Sequence, residues 1–326
     1  MKPNYEPELD GLRAFAIFAV MGFHFAGGFI TGGSLGVDVF FVLSGYLITS
    51  ILSRETEAAG GIDYRNFLMR RASRLLPALA VLLGAYVALS PLLFPQLAGR
   101  RWLDVGVAAF YLTNLRETFW PAETPLSHTW SLAIEEQFYI VWPLALLGLL
   151  RLKGQTAALV LVGVWAILTL VRSACAGIWP GHPAAYYFTP LHATGLVLGA
   201  ALALRPISFT SGRLSLIALF GLVILARTSV TFIAVQPVAE VLTALVIANP
   251  PQRLAAAPLR FVGRISYGVY LWHIPIMWAV GIPKSLFQVG VLAALSLLAG
   301  ALSHFGVERW FLKPRTAQTV PSTASA

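Results

Sequence analysis

The sequence predicts an all-α fold: a polytopic membrane helix bundle of about ten transmembrane helices with both termini cytoplasmic. Three observations carry this. The chain is 57% hydrophobic and only 11% charged, whereas a soluble domain is about 25% charged. Apolar runs recur along its 326 residues, most of them near the roughly 20 residues that cross a bilayer as a helix. The basic residues, which give a net charge of +9, sit almost entirely between these runs, the pattern of positive-inside topology. That charge reads as contact with anionic membrane lipid, not with nucleic acid. The single Cys175 excludes an internal disulfide framework, leaves no metal site of cysteine type and reads as a small apolar filler. A cleavable leader is not expected, because the first segment has little basic n-region and carries Arg13 inside it.

The first span covers residues 12–30, and the Gly-rich turn Thr31-Gly-Gly-Ser-Leu-Gly36 leads to a second over residues 35–52. Residues 54–74 form a polar linker whose arginines alternate with Phe67, Leu68 and Met69, as in an interfacial amphipathic helix. A third span follows at residues 75–94. Residues 100–120 are less hydrophobic, broken by Arg101, Asp104, Asn114 and Arg116. Further spans are expected near residues 130–150, 157–175, 188–204, 214–226, 230–248, 265–280 and 289–305. One membrane domain fills residues 1–315, and residues 316–326 read as a disordered tail.

Loop charges choose the topology. The arginine-rich 54–74 linker should be cytoplasmic. If residues 100–120 do not cross, the clusters at Arg151/Lys153, Arg205/Arg213, Arg253/Arg260/Arg264 and Arg309/Lys313/Arg315 all fall on that side too. Arg100 and Arg101 are outvoted.

Ionisable residues inside apolar runs are functional candidates, since a charge at mid-membrane costs about 2.5–3.5 kcal/mol. Arg13 and His24 share the first run with ten residues between them, which separates them by roughly 16 Å along a helix. Asp38 opens the second run, and Glu135 and Glu136 enter the run that starts at Trp130. Adjacent helical residues diverge by about 100°, so only one of the two glutamates can face a given pocket. An imidazole among carboxylates points to proton transfer, with His24 as general base and Asp38 or Glu135 orienting its ring. His273 is the first alternative base, within aromatic walls of Tyr267, Tyr270 and Trp272 and ahead of a proline kink. His128 is placed at the outer interface, and His182 and His304 in solvent or at an interface. Arg71 and Arg74 project from one face by their i,i+3 spacing. With Arg70 they make a basic patch that suits phosphates or simply anchors topology.

Six motifs in order then match a family. They are Leu9-Asp-Gly-Leu-Arg13 with His24, Gly36-Val-Asp-Val-Phe-Phe-Val-Leu-Ser-Gly45, Arg70-Arg-Ala-Ser-Arg-Leu-Leu-Pro77, His128-Thr-Trp-Ser-Leu-Ala-Ile-Glu-Glu-Gln-Phe-Tyr139, Gly263-Arg-Ile-Ser-Tyr-Gly-Val-Tyr-Leu-Trp-His273, and Val307-Glu308. Over residues 9–314 the chain resembles the acyltransferase family 3 of membrane O-acyltransferases. The resemblance implies about ten helices and an acyl-CoA donor, usually acetyl-CoA. It implies transfer to a hydroxyl of a carbohydrate or lipid-linked glycan at the cytoplasmic membrane. Arg13 and His24 would be catalytic, and Arg71 and Arg74 would serve CoA. Two departures stand out: His192 and Thr194 replace an Arg-x-Asp pair of many relatives, and Trp310 stands where a proline often follows the Glu-Arg pair. Some relatives carry an added SGNH-type hydrolase domain, and this chain is expected to work within the bundle alone. The rival readings are a transporter or flippase, whose paths are also lined by buried charge, and a non-catalytic sensor. The missing inverted repeat argues against transport.

Overall fold

The computed structural model describes residues 5–26, 29–179, 181–208, 210–226 and 230–311. The expected tail at residues 316–326 lies outside them. Helices are the only regular elements among the described residues.

Helix α1 (Pro7–Phe25) starts with a proline in its first turn, where the missing N–H costs nothing. A short 3₁₀ turn leads to α2 (Leu35–Ala59), which is the most enclosed of the five stretches long and apolar enough to cross a membrane. Gly60 ends α2 in the left-handed conformation at φ 74°, a backbone state glycine adopts without strain. Helix α3 (Tyr64–Leu93) begins at once, with Asp63 accepting from the Asn66 N–H at 3.0 Å. The Asn66 amides hold the Asp63 carboxyl below its ordinary range. The linker at residues 54–74 is therefore not a separate interfacial helix. Its first part, with Arg54, extends α2, and Arg65, Arg70, Arg71 and Arg74 lie on α3 itself, because no Gly or Pro separates Arg74 from the apolar run behind it.

Residues 100–120 fold as α4 (Arg101–Ala109) and α5 (Thr113–Phe119). Both are far shorter than the roughly 20 residues a crossing needs. Their charges turn inward and pair: Arg116 donates to Asp104 at 2.7 Å and to Glu117 at 2.5 Å. Helices α6 (Trp130–Leu149) and α7 (Gly154–Ile178) follow. After a short α8 (Ala184–Tyr187), the span expected at residues 188–204 is broken at Ala193 into α9 (Thr189–His192) and α10 (Thr194–Leu204). Phe188 is extended at ψ 122° between α8 and α9, and Pro190 falls in the first turn of α9, where its missing N–H costs nothing. Helices α11 (Gly212–Leu225), α12 (Val230–Ala248), α13 (Ala257–Val280) and α14 (Leu286–Ser303) complete the bundle. A π turn over His304–Glu308 leads to the short α15 (Arg309–Phe311). Five of the uninterrupted helical stretches, among them those containing α2, α3, α6, α7 and α14, are long and apolar enough to cross a membrane. This is a helical membrane protein.

Two helix contacts position the site. On α10, a Cβ at Gly199 would lie 2.0 Å from the Val42 carbonyl of α2, and on α13 a Cβ at Gly263 would lie 1.8 Å from the Asp10 carbonyl of α1. Small residues let membrane helices meet backbone to backbone. Asp10 meets Gly263 while His24 meets His273 further along, so α1 and α13 run in the same direction. Gly263→Val should force them apart and destabilise the fold by about 1–3 kcal/mol. Thermal unfolding in detergent measures this, and an unchanged midpoint would contradict the contact.

Candidate active site

Arg13 of α1 and Arg71 and Arg74 of α3 converge on one cleft of about 690 Å³. Glu135 of α6 and Ser266, Tyr267 and Tyr270 of α13 also line it. The i,i+3 spacing does what it promised: Arg71 and Arg74 face the cleft together. Arg70 does not join them. It projects outward and pairs with Glu55 at 3.0 Å, clamping the start of α3 to the end of α2. Among the described residues, none of the three cleft arginines makes an ion pair within 4.0 Å. The Arg71 guanidinium lies over the Tyr139 ring at 4.0 Å from its centroid. Three guanidiniums face one another across the cleft with Glu135 as the lining carboxylate. Glu136 is not among the lining residues, as the divergence of neighbouring helical positions requires.

At the other end of α1 lies a layer of three histidines. The His24 and His273 rings are 5.0 Å apart, and the His128 and His273 rings 5.3 Å. His128 is buried inside the bundle, against His273. Pro275 explains why. Having no N–H, it cannot bond the carbonyl four residues earlier, which is that of Leu271. The His128 Nε2–H donates to this carbonyl instead, at 3.1 Å. Tyr270 returns the link, its hydroxyl donating to the His128 carbonyl at 2.6 Å. Tyr270 belongs to both regions, lining the cleft and packing 5.3 Å from the His273 ring.

No carboxylate orients His24. Its Nδ1 lies 2.9 Å from the Val20 carbonyl and 3.3 Å from His273 Nε2. Glu135 sits with the arginines, and Asp38 is committed elsewhere. The expected convergence of His24, Asp38 and Glu135 is therefore corrected. Asp38 opens α2 on the side that faces α9 and α12, and its Oδ1 meets His192 Nε2 at 3.2 Å and Gln236 Nε2 at 2.5 Å. A second buried system continues from it. Thr194 donates to Glu240 at 2.6 Å and accepts from Arg172 at 3.1 Å, and Trp165 donates to Glu240 at 2.6 Å. His192 and Thr194, which together make the first departure, thus both tie the broken segment α8–α10 to its neighbours. No sequence signal joins His128 to His273, or Asp38 to His192, because these contacts span 145 and 154 positions. The exception would have been Pro275, whose freed carbonyl needs a donor from another helix.

Fold and site together define a helical membrane protein with a cationic cleft beside a buried imidazole layer. The chain belongs to the acyltransferase family: the family model described as an acyltransferase domain matches residues 6–304. It is 33% identical over 311 residues to the peptidoglycan O-acetyltransferase OatA of Listeria monocytogenes, covering 84% of this chain and 50% of that one. A Bacillus subtilis protein provisionally named as a peptidoglycan O-acetyltransferase is 34% identical over 312 residues, covering 84% and 49%. A Staphylococcus aureus protein provisionally named as an O-acetyltransferase is 32% identical over 354 residues, covering 96% and 58%. The chain spans about half the length of these relatives. No solved structure matches it.

The placement of Asp38 separates holding the fold from chemistry. Breaking a buried pair costs about 3–5 kcal/mol, so Asp38→Ala should lower stability by that order, while His24→Ala leaves the melting midpoint within a degree or two. Equal midpoints for the two variants would contradict this division.

Proposed function

We propose that this protein moves an acetyl group from acetyl-CoA, entering from the cytoplasmic side, to a hydroxyl of a cell-wall glycan. The observation that carries the reading is the cleft of three guanidiniums without ion-pair partners. Cations kept inside a membrane protein are costly unless matched, and the pyrophosphate and 3′-phosphate of CoA match them by charge-assisted hydrogen bonds. Length supports the same donor. Arg13 and His24 stand roughly 16 Å apart along α1. The pantetheine arm from phosphate to sulfur has the bonds of four extended residues, roughly 13–14 Å. Phosphates held at the arginines put the thioester near the histidine layer, past Tyr270. The named relatives, peptidoglycan O-acetyltransferases among them, support a glycan acceptor, free or lipid-linked.

His24 is the general base in this reading. A carbonyl only accepts, so the contact with Val20 puts a proton on His24 Nδ1 and leaves the Nε2 lone pair free. His24 Nε2 takes the acceptor hydroxyl's proton as its oxygen bonds to the thioester carbon. As the carbon–sulfur bond breaks, the same proton passes to the leaving thiolate. Arg13 is too basic for that task and serves the donor's phosphates. The topology that delivers the donor has about ten crossings with both termini and the α2–α3 turn cytoplasmic. The short α4 and α5 and the loop-charge balance support it.

His24→Ala should lose about 10²–10⁴ in acetyl transfer while keeping membrane levels and donor affinity. Transfer at wild-type rate would place the base elsewhere. Arg71→Ala with Arg74→Ala should weaken acetyl-CoA affinity by about tenfold or more, each lost charged hydrogen bond contributing roughly 1.5–3 kcal/mol. An unchanged Michaelis constant for acetyl-CoA would leave these residues a role in topology alone. Ala58→Cys in a Cys175→Ala background should label only from the cytoplasm. Labelling only from outside would reverse the donor's side of entry.

A further inference from the structure

We propose that His273 is a positioning residue that holds His24 in its Nδ1–H form, so that Nε2 alone is presented to the acceptor. This rests on the reading of His24 as the base. The hydrogen-bond directions lead to it in two steps. His273 Nδ1 lies 2.6 Å from the Tyr270 carbonyl, and a carbonyl has no proton to give, so His273 carries its own proton on Nδ1. Its Nε2 is then an acceptor, and it faces His24 Nδ1 at 3.3 Å. The Val20 carbonyl, also an acceptor, faces the same His24 nitrogen at 2.9 Å. Two acceptors therefore converge on His24 Nδ1, and the proton has to be there.

Val20 alone would hold the ring poorly. Its carbonyl lies one turn back on α1 and already takes the backbone N–H of His24. His273 grips from another helix and fixes where the ring points as well as which nitrogen is protonated. The grip is rigid because α1 and α13 meet backbone to backbone at Gly263. His273 itself is 0% exposed, whereas His24 is partly exposed, so His273 acts through His24 and does not meet a substrate hydroxyl.

The groups that face His273 are His24 of α1, His128 from the turn before α6 and Tyr270 of its own helix. No carboxylate is hydrogen-bonded to this layer among the described residues. A neutral acceptor here takes the place that an acidic residue holds in a serine–histidine–aspartate triad. Pro275 supports the arrangement by leaving the Leu271 carbonyl to His128, which keeps the third imidazole from competing for His24.

The test uses the full chain in nanodiscs with acetyl-CoA and peptidoglycan oligosaccharides, following base-labile acetyl esters. His273→Gln keeps an acceptor oxygen where Nε2 stood, and His273→Leu keeps bulk without one. We expect His273→Leu to lose about 10²-fold in kcat with the Michaelis constant for acetyl-CoA unchanged, and His273→Gln to stay within about tenfold of wild type. Loss of less than threefold in His273→Leu, or equal loss in both variants, would overturn the proposal. A structural role alone would instead lower the yield and melting midpoint of His273→Leu together with its kcat. Nitrogen-15 spectra of the histidine rings, with His24→Ala for assignment, decide the point without turnover. Wild type should show His24 protonated on Nδ1, and His273→Leu should show both tautomers. An unchanged His24 signal in His273→Leu would overturn the proposal even in an active enzyme. A wild-type protein that shows the expected tautomer but transfers nothing would count against the acetyltransferase reading and leave the pairing standing.

Discussion

Helix α1 meets α13 at a distance that only glycine permits, and the rest of the site hangs on that contact. With Gly263 against the Asp10 carbonyl, the two helices run side by side in one direction. Arg13 then falls beside Ser266 and Tyr267 at the cleft, and His24 falls beside His273 further along. The same pair of helices thus carries both the charge that can hold an anionic donor and the imidazole that can move a proton. A larger residue at 263 would shift both layers at once.

The bundle keeps two kinds of buried polarity, and they differ in whether opposite charges meet. Around Asp38, Glu240 and Arg172 the acids meet bases and hydroxyls on helices α7, α9, α10 and α12. Such a paired network fixes helix positions, and a charge left alone there would be expensive, although Asp38 Oδ2 and Arg172 Nε and Nη2 find no hydrogen-bond partner among the described residues. Around the cleft the arginines outnumber the lining carboxylate and lack ion-pair partners. A cationic site without opposite charges inside a membrane protein is a place for something to bind, whereas a paired one is a joint.

Part of this was legible in the sequence. The helical class followed from composition, and the cleft pair Arg71 and Arg74 followed from helical spacing, as did the divergence of Glu135 from Glu136. His24 was marked by its place in an apolar run. The rest depended on partners chosen across the chain. Asp38 looked like a companion for His24 because both open or close neighbouring apolar runs, yet its carboxylate meets His192, which lies 154 positions away. That His128 precedes a span says nothing of its partner, the carbonyl of Leu271 freed by Pro275. Arg70 is sequence-adjacent to Arg71 and points the other way, toward Glu55. Residues 188–204 read as one apolar run because hydropathy does not register the break at Ala193.

A structure of the protein with CoA bound, determined by electron cryo-microscopy in nanodiscs, tests the central claim most directly. The account predicts phosphate oxygens within about 4 Å, an ion-pair distance, of at least two of Arg13, Arg71 and Arg74, with the sulfur directed past Tyr270 toward His24. CoA bound at another face, or in the cleft with its sulfur pointing away from the histidine layer, would contradict it.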